Sequence, residues 1–101
     1  MADAGDEHSV RLRLYVAGEG PNSRQARENL RVICEAHLAG RHVIEVLDVF
    51  EEPERALDDG VYLTPQLLVL VLPPATPRTV VGNLSEREVV LRALGVSDGV
   101  A

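Results

Sequence analysis

Residues 60–74, GVYLTPQLLVLVLPP, decide the fold because they contain the most apolar run of the chain, at residues 67–72. This run is far shorter than the ~20 apolar residues that a membrane-spanning helix needs. An unbroken run of aliphatic residues of this length predicts a β-strand that is buried on both faces. Thr64 and Pro65 precede it, at a position where a proline removes no hydrogen bond from a central ladder. The rest of the chain must therefore cover both faces of this strand.

Length and composition are those of one globular domain. The 101 residues are 46% hydrophobic and 26% charged, with a net charge of −6. An acidic chain lacks the basic face that attracts nucleic acids and anionic membranes, so we expect neither as a partner. The single cysteine excludes an intramolecular disulfide, and the N-terminus lacks the apolar segment of a signal peptide. We predict a cytoplasmic protein with a flexible tail at residues 1–9, a domain at residues 10–96 and a frayed C-terminus at residues 97–101.

The first half of the chain predicts two strands joined by a helix. Residues 10–17 begin with alternating apolar and polar side chains, and residues 42–49 are rich in β-branched side chains; both patterns are typical of strands. A capping box of Asn22 and Gln25 is expected to start the helix between them. Two strands joined by a helix are expected to be parallel. The apolar side of the helix consists of Ala26, Leu30, Ile33, Cys34, His37 and Leu38.

The second half predicts a short helix, two strands and a final helix. Pro53 is expected in the first turn of the short helix, which would pack Ala56 and Leu57 inward. A strand is predicted over residues 61–72. The connector that follows it is too short for a helical crossover, so the next strand, at residues 78–81, should run antiparallel to it.

The final helix is predicted from a capping box and an amphipathic pattern. Ser85 is expected to cap the first turn, with Glu88 reaching back to it. The apolar side of this helix consists of Val89, Val90, Leu91 and Leu94. The complete order is then β-α-β-α-β-β-α, an α/β fold with a mixed four-stranded sheet and three helices. This arrangement is thioredoxin-like, and such folds place a cis proline where Thr64 and Pro65 lie.

No combination of residues predicts catalysis, a cofactor or a metal site. Thioredoxin-type exchange needs a cysteine where the first strand meets the first helix, but residues 18–22 read GEGPN. We expect Cys34 to serve packing instead. Gly18 and Gly20, with Asp48, form part of a dinucleotide fingerprint, but the third glycine is absent and a plain turn is favoured. The histidines have no metal-ligand spacing. The acidic run at residues 51–59 is interpreted as a solvated helix face, with a partner-binding patch as the alternative.

Several motifs together resemble the KaiB family of circadian-clock proteins. The chain reads LYVAG at residues 14–18, PNS at residues 21–23, VLDV at residues 46–49, TP at residues 64–65, LPP at residues 72–74 and VVGNLSERE at residues 80–88. The resemblance extends from about residue 12 to residue 95. It implies a non-enzymatic protein that docks on the hexameric ATPase KaiC. A KaiA-like protein or a histidine kinase is a further partner that the resemblance implies.

The resemblance also implies two alternative folds. One is a tetramer with the order βαββααβ, and the other is the thioredoxin-like monomer, which is the binding form. We assign Pro65, Pro73 and Pro74 to the region that determines which fold forms. The apolar run contains Val69 and Val71, and β-branched residues favour a strand there. We therefore predict that this chain rests as the thioredoxin-like monomer.

The partner-binding residues that the resemblance implies lie in several elements. They are Arg13, Asp48, Phe50, Pro53 and Arg78. Glu45, Gly60 and Val69 stand where the resemblance leads us to expect lysines, whereas Arg13 and Arg78 keep a positive charge.

Two functional hypotheses follow. The first is binding of a KaiC-type ATPase, in circadian or stress-related signalling, through the second strand and residues 48–53. An edge strand there would pair with a strand of the partner. The second is a generic thioredoxin-like adaptor or sensor module for a kinase or another regulator, without redox activity.

Overall fold

The order of helices and strands is the predicted one. The structure, a computed structural model, describes residues 10–71 and 77–96. Within these residues the elements are β1 (Val10–Val16), α1 (Pro21–His37), β2 (His42–Asp48), α2 (Pro53–Asp58), β3 (Gln66–Leu70), β4 (Arg78–Val81) and α3 (Arg87–Leu94). The α/β, thioredoxin-like class is confirmed, and the order βαββααβ is not the one observed. The predictions for residues 1–9 and 97–101, and for Pro73 and Pro74, lie outside the described residues.

The sheet has the strand order β2-β1-β3-β4. β1 and β2 are parallel, as their connection by α1 predicts. β3 runs antiparallel to β1, with Leu67 opposite Leu14, and β4 runs antiparallel to β3, with Val80 opposite Leu67. β3 is therefore an interior strand, whereas β2 and β4 form the two edges of this sheet.

β3 contributes to the core on both faces of the sheet. Leu67 and Val69 belong to the larger cluster, which includes the inner sides of α1 and α3. Leu68 belongs to a smaller cluster with Tyr15 and with Ala56 of α2. The predicted burial on both faces is confirmed. Burying one leucine side chain contributes roughly 1.5–3 kcal/mol to the free energy of folding. Because both faces of β3 are covered, the strand has no solvent-facing side on which polar residues would alternate with apolar ones. In the part of the chain that the structure describes, no helix is both long enough and apolar enough to cross a bilayer.

β3 is shorter than predicted and begins only after Pro65. Residues 61–65 form a connection in which the amide of Val61 donates to the carbonyl of Ala56 at 2.8 Å, closing the end of α2. The Thr64–Pro65 bond is cis, as predicted. Proline has no amide hydrogen, so the ladder starts at the next residue, and the carbonyl of Pro65 accepts a 2.8 Å hydrogen bond from Gly82.

Both predicted capping boxes are wrong. α1 has Gly20 at its N-cap and Pro21 in the first turn, without a side-chain cap. Proline is well suited to that position because its missing amide hydrogen would have no helical partner, so the helix begins before Asn22. α3 has Glu86 at its N-cap. Ser85 lies one position too early, and its amide instead donates to Oδ1 of Asn83 at 3.1 Å.

The predicted inner side of α2 is also partly wrong. Ala56 is buried, but 62% of Leu57 is exposed. Consecutive residues of a helix point about 100° apart, and a helix of six residues presents only a narrow inner side. Val89 of α3 is likewise on the outer part of its helix, whereas Val90, Leu91 and Leu94 are buried.

Cys34 lies in the larger core, as predicted. Its side chain is fully buried on the inner side of α1. Burial raises the pKa of the thiol to about 11. The thiolate, which is the reactive form of a cysteine, is therefore scarce at neutral pH, and the role of this residue is packing.

Candidate protein-docking site

An apolar groove lies beside the carboxyl ends of β1 and β2, where α2 and the connection to β3 complete its walls. Its volume is about 390 Å³. Apart from the hydroxyl groups of Tyr62 and Thr64, the lining side chains are hydrocarbon. We call it the Phe50 groove. It is lined by Ala17, Val49, Phe50, Pro53, Ala56, Leu57, Val61, Tyr62 and Thr64.

A hydrogen-bonded turn after β2 presents Phe50 at the mouth of the groove. Oδ1 of Asp48 accepts the amide of Phe50 at 2.8 Å, and the carbonyl of Asp48 accepts the amides of Glu51 and Glu52 at 2.9 and 2.8 Å. An aspartate that bonds the backbone two residues ahead is a common way to fix a turn. The Phe50 side chain is consequently held outward, with 73% of its surface exposed.

Exposed apolar side chains are concentrated around this groove. Phe50, Leu57, Tyr62 and Leu63 are each more than half exposed. The chain has only three aromatic residues, and two of them, Phe50 and Tyr62, lie here on the surface while Tyr15 is buried. Large exposed apolar side chains that cluster on a small domain are typical of a binding surface.

A network of charged and polar side chains holds α2 against the sheet. Nη1 of Arg13 and the hydroxyl of Tyr15 donate to Oδ2 of Asp59, at 2.9 and 2.6 Å. Nε of Arg13 also donates to Glu45 at 3.1 Å, and Nη2 of Arg55 lies 3.2 Å from the other oxygen of Glu45. The network thus joins β1 and β2 to both the middle and the C-terminal end of α2.

The network is intact at neutral pH because of the pKa values of its members. Burial alone would raise the pKa of Asp59, but the hydrogen bonds from Tyr15 and Arg13 hold it below the ordinary value. Burial alone would also raise the pKa of Glu45, but the hydrogen bonds from Arg13 and Arg55 hold it below the ordinary value. Burial and the Asp59 carboxylate raise the pKa of Tyr15 to about 12. Both carboxylates are therefore charged and Tyr15 keeps its proton.

The structure brings together three of the five residues predicted to bind a partner. Asp48, Phe50 and Pro53 lie on or beside the Phe50 groove. Arg13 lies in the network behind α2, where 23% of its side chain is exposed. Arg78 is on β4, at the opposite edge of the sheet, and its Nη1 donates to the carbonyl of Ala93 at 3.0 Å, near the end of α3.

Of the nine residues that line the groove, only Phe50 and Pro53 were predicted as site residues; the exposed Leu57 and Tyr62 were not. Leu57 follows Ala56 in a short helix. Because consecutive helical residues point about 100° apart, the burial of Ala56 would have indicated that Leu57 is exposed. Tyr62 lies in the connection before β3, outside the ladder, and is 78% exposed. Pro65, predicted to help determine the fold, is buried directly after Thr64 of the groove.

The groove offers apolar contact without reactive groups. The connection between β1 and α1, where a thioredoxin carries its cysteines, contains none here. Among residues 10–71 and 77–96, no three His, Cys, Asp or Glu side chains are grouped so that they could hold a metal ion.

The chain is similar to known clock proteins over most of its length. A family model described as the KaiB domain matches residues 13–96. The circadian clock oscillator protein KaiB of Synechococcus sp. (strain RCC307) is 42% identical over 83 residues, covering 82% of this chain and 74% of that protein. The protein of the same name from Prochlorococcus marinus (strain MIT 9312) is 42% identical over 83 residues, covering 82% of this chain and 77% of that protein.

Solved structures show the same fold at lower identity. The N-terminal domain of Synechococcus elongatus SasA has a TM-score of 0.71 and 20% identity, covering 100% of this chain and 94% of that domain. The germline-specific thioredoxin Deadhead of Drosophila melanogaster has a TM-score of 0.71 and 13% identity, covering 93% of this chain and 86% of that protein. The match to the family model and the identity to its members agree with the architecture, and the chain belongs to the KaiB family of circadian clock proteins.

Proposed function

We propose that this chain is a non-enzymatic regulatory protein that binds a KaiC-type ATPase, in circadian or stress-related signalling, through the Phe50 groove and the β2 edge. The observation that carries the proposal is the cluster of exposed Phe50, Leu57 and Tyr62 around an apolar groove. Exposed aromatic side chains that enter a partner's pocket are frequent energetic centres of interfaces. Membership of a clock protein family supports a KaiC-type ATPase as the partner.

The β2 edge supports the same proposal. In the described sheet β2 pairs only with β1, so its outer backbone groups are available to an added strand. Val43 and Val46 are about half exposed along this strand. A partner strand on this edge would continue the sheet and lead directly to the turn that carries Phe50.

The proposed contact residues divide into two groups. Phe50 and Pro53 contact the partner directly, and Asp48 fixes the turn that presents them. Arg13 and Arg78 contribute positive charge at the two sides of the sheet while also bonding within the chain. Pro65, Pro73 and Pro74 are proposed to favour the thioredoxin-like monomer as the resting state.

A pull-down with a KaiC-type ATPase hexamer, with ATP and with ADP, tests the proposal. We expect binding in at least one nucleotide state and its loss in Phe50→Ser. The matched control is Val32→Ser, which removes a partly exposed side chain from α1 without touching the groove. Absence of binding in both nucleotide states would contradict the proposal.

The second candidate function is an adaptor for a histidine kinase, a KaiA-like protein or another regulator. The unpaired β2 edge favours it, because strand addition serves many kinds of partner. Binding of such a regulator, together with no binding of the ATPase, would support this second function over the first.

A further inference from the structure

We propose that the Phe50 groove selects a protein segment in which a large apolar side chain is flanked by lysine or arginine. The inference rests on the proposed docking function and names the chemistry of the occupant. It is carried by two adjoining features, the apolar lining of the groove and the acidic rim beside it.

The groove lining requires an apolar anchor. All nine lining residues are uncharged, and only two of them carry a hydroxyl group. A charged group placed in such a site would lose hydration without gaining a partner of opposite charge. A small molecule is also less suited to the groove, because binding sites for small molecules usually add several converging polar groups that fix their orientation.

The rim beside the groove is acidic. Between residues 48 and 59 the chain has six carboxylates and a single basic residue, Arg55. Arg55 is engaged with Glu45, and Asp59 is engaged with Arg13. Asp48 accepts the amide of Phe50, so the carboxylates that remain available are Glu51, Glu52, Glu54 and Asp58.

The acidic rim and the groove are contiguous. A second depression of about 310 Å³ is lined by Glu51, Glu52, Pro53, Glu54 and Arg55. Pro53 lines both depressions. When an apolar side chain of the partner occupies the Phe50 groove, a neighbouring side chain of the partner therefore lies at the second depression. A cation adjacent to the apolar anchor would therefore meet three glutamates. Complementary charge of this kind raises association rates and suppresses the wrong partners.

Other occupants fit the charges less well. A second copy of the chain has a net charge of −6, so two copies repel each other at neutral pH. The chain's own first nine residues contain Asp3, Asp6 and Glu7 and neither lysine nor arginine. Both would bring negative charge towards an acidic rim. A separate partner with a basic and apolar segment is the complementary choice.

Two synthetic peptides test the inference on the full chain. Both carry the same central phenylalanine and leucine, flanked by lysines in one peptide and by glutamates in the other. In amide NMR we expect the lysine peptide to shift resonances of residues 49–64, with an affinity that falls as NaCl is raised from about 50 to 300 mM. Equal or tighter binding of the glutamate peptide, or shifts confined to another face, would overturn the inference.

Charge-reversed variants provide the matched comparison. We expect the double variant Glu51→Lys and Glu54→Lys to weaken the lysine peptide at least about tenfold. The control, Glu86→Lys and Glu88→Lys, makes the same change in net charge at the start of α3 and should leave the affinity unchanged. The pair Glu51→Gln and Glu54→Gln replaces the reversal if the latter fails to fold. Unchanged affinity in the rim variant that folds would overturn the inference.

The same variants separate this inference from the proposed function. If the KaiC-type ATPase fails to bind while the lysine peptide occupies the groove, the proposed function is wrong and the occupant chemistry stands. If the ATPase binds the rim variants as tightly as the unaltered chain, the charge selection is wrong and the proposed function stands.

Discussion

The hydroxyl group of Tyr15 donates a hydrogen bond of 2.6 Å to Oδ2 of Asp59, which joins β1 to the C-terminal end of α2. The same oxygen accepts Nη1 of Arg13 at 2.9 Å. Because α2 has six residues and only Ala56 is buried in it, this polar connection is a main attachment of α2 to the sheet. α2 forms one wall of the Phe50 groove, so the shape of the groove depends on Asp59.

The first prediction concerns the ionisation of Tyr15. Tyr62→Phe leaves Tyr15 as the only tyrosine, and its ionisation can be followed by absorbance near 295 nm. We expect a pKa of about 12 in this background, because burial and the Asp59 carboxylate both oppose the phenolate. Adding Asp59→Asn removes the carboxylate charge and should move the pKa towards the ordinary value of 10.0. Circular dichroism at each pH controls for unfolding, and identical titration curves would contradict this assignment.

The second prediction concerns stability in acid. The pKa of Asp59 is lowered in the folded state, so its contribution is fully present above the ordinary value of 3.8 and is lost as the pH falls through the lower folded-state pKa. At pH 7 we expect Asp59→Asn to reduce the free energy of unfolding in urea by roughly 1–3 kcal/mol. The difference from the unaltered chain should shrink as the pH falls below 3.8.

The control for this measurement is Asp58→Asn, which neutralises the exposed neighbour. It should leave the free energy of unfolding within about 0.5 kcal/mol of the unaltered chain at every pH. A difference between Asp59→Asn and the unaltered chain that persists unchanged to pH 2 would show that the carboxylate charge of Asp59 is not what stabilises α2.

The order and pairing of the elements could be predicted because they follow from patterns that are local in sequence. Burial is indicated directly by three local patterns: the alternation in β1, the helical spacing of Leu30 and Ile33, and the unbroken apolar run around Leu68. The start of β3 was predicted too early, at residue 61, although Pro65 carried the signal, since a proline cannot donate to a ladder. The predicted helix caps were wrong because the residue that caps a helix depends on the path of the loop before it. In α1 that path places Pro21 in the first turn of the helix.

The network behind α2 could not be predicted, since its members are distant in sequence. Arg13 and Asp59 are 46 positions apart, and nothing in either local pattern links them. Part of the signal was nonetheless present: Arg13 stands opposite Glu45 in the parallel pair, and a buried tyrosine such as Tyr15 needs a partner for its hydroxyl group. Phe50 is exposed, and its role in binding a partner stays a prediction, whereas the exposure of Leu57 follows from the geometry of α2.

The third prediction concerns Arg78 and the end of α3. Its guanidinium group donates to the carbonyl of Ala93, where the negative end of the helix dipole favours a cation. We expect Arg78→Ala to reduce the free energy of unfolding by roughly 0.5–1 kcal/mol and to speed amide exchange at Gly95 and Val96. Arg41→Ala, at an exposed loop position, is the matched control. Unchanged exchange in Arg78→Ala would mean that this hydrogen bond does not hold the helix end.

The fourth prediction concerns the resting state. We expect the isolated chain to scatter light as a monomer of 11.0 kDa. Backbone chemical shifts should show helix at residues 87–94 and strand at residues 66–70, because α3 buries Val90, Leu91 and Leu94 in the core. A tetramer, or strand shifts at residues 87–94, would show that the alternative KaiB fold is the resting state.

Hydrogen–deuterium exchange of the chain in the presence and absence of a KaiC-type ATPase hexamer tests the central claim most directly. The claim is that the Phe50 groove and the β2 edge form the docking surface. We predict slower exchange over residues 43–64 on adding the ATPase, and no such change in Phe50→Ser. Slower exchange confined to residues 78–96, or no change anywhere in the unaltered chain, would contradict it.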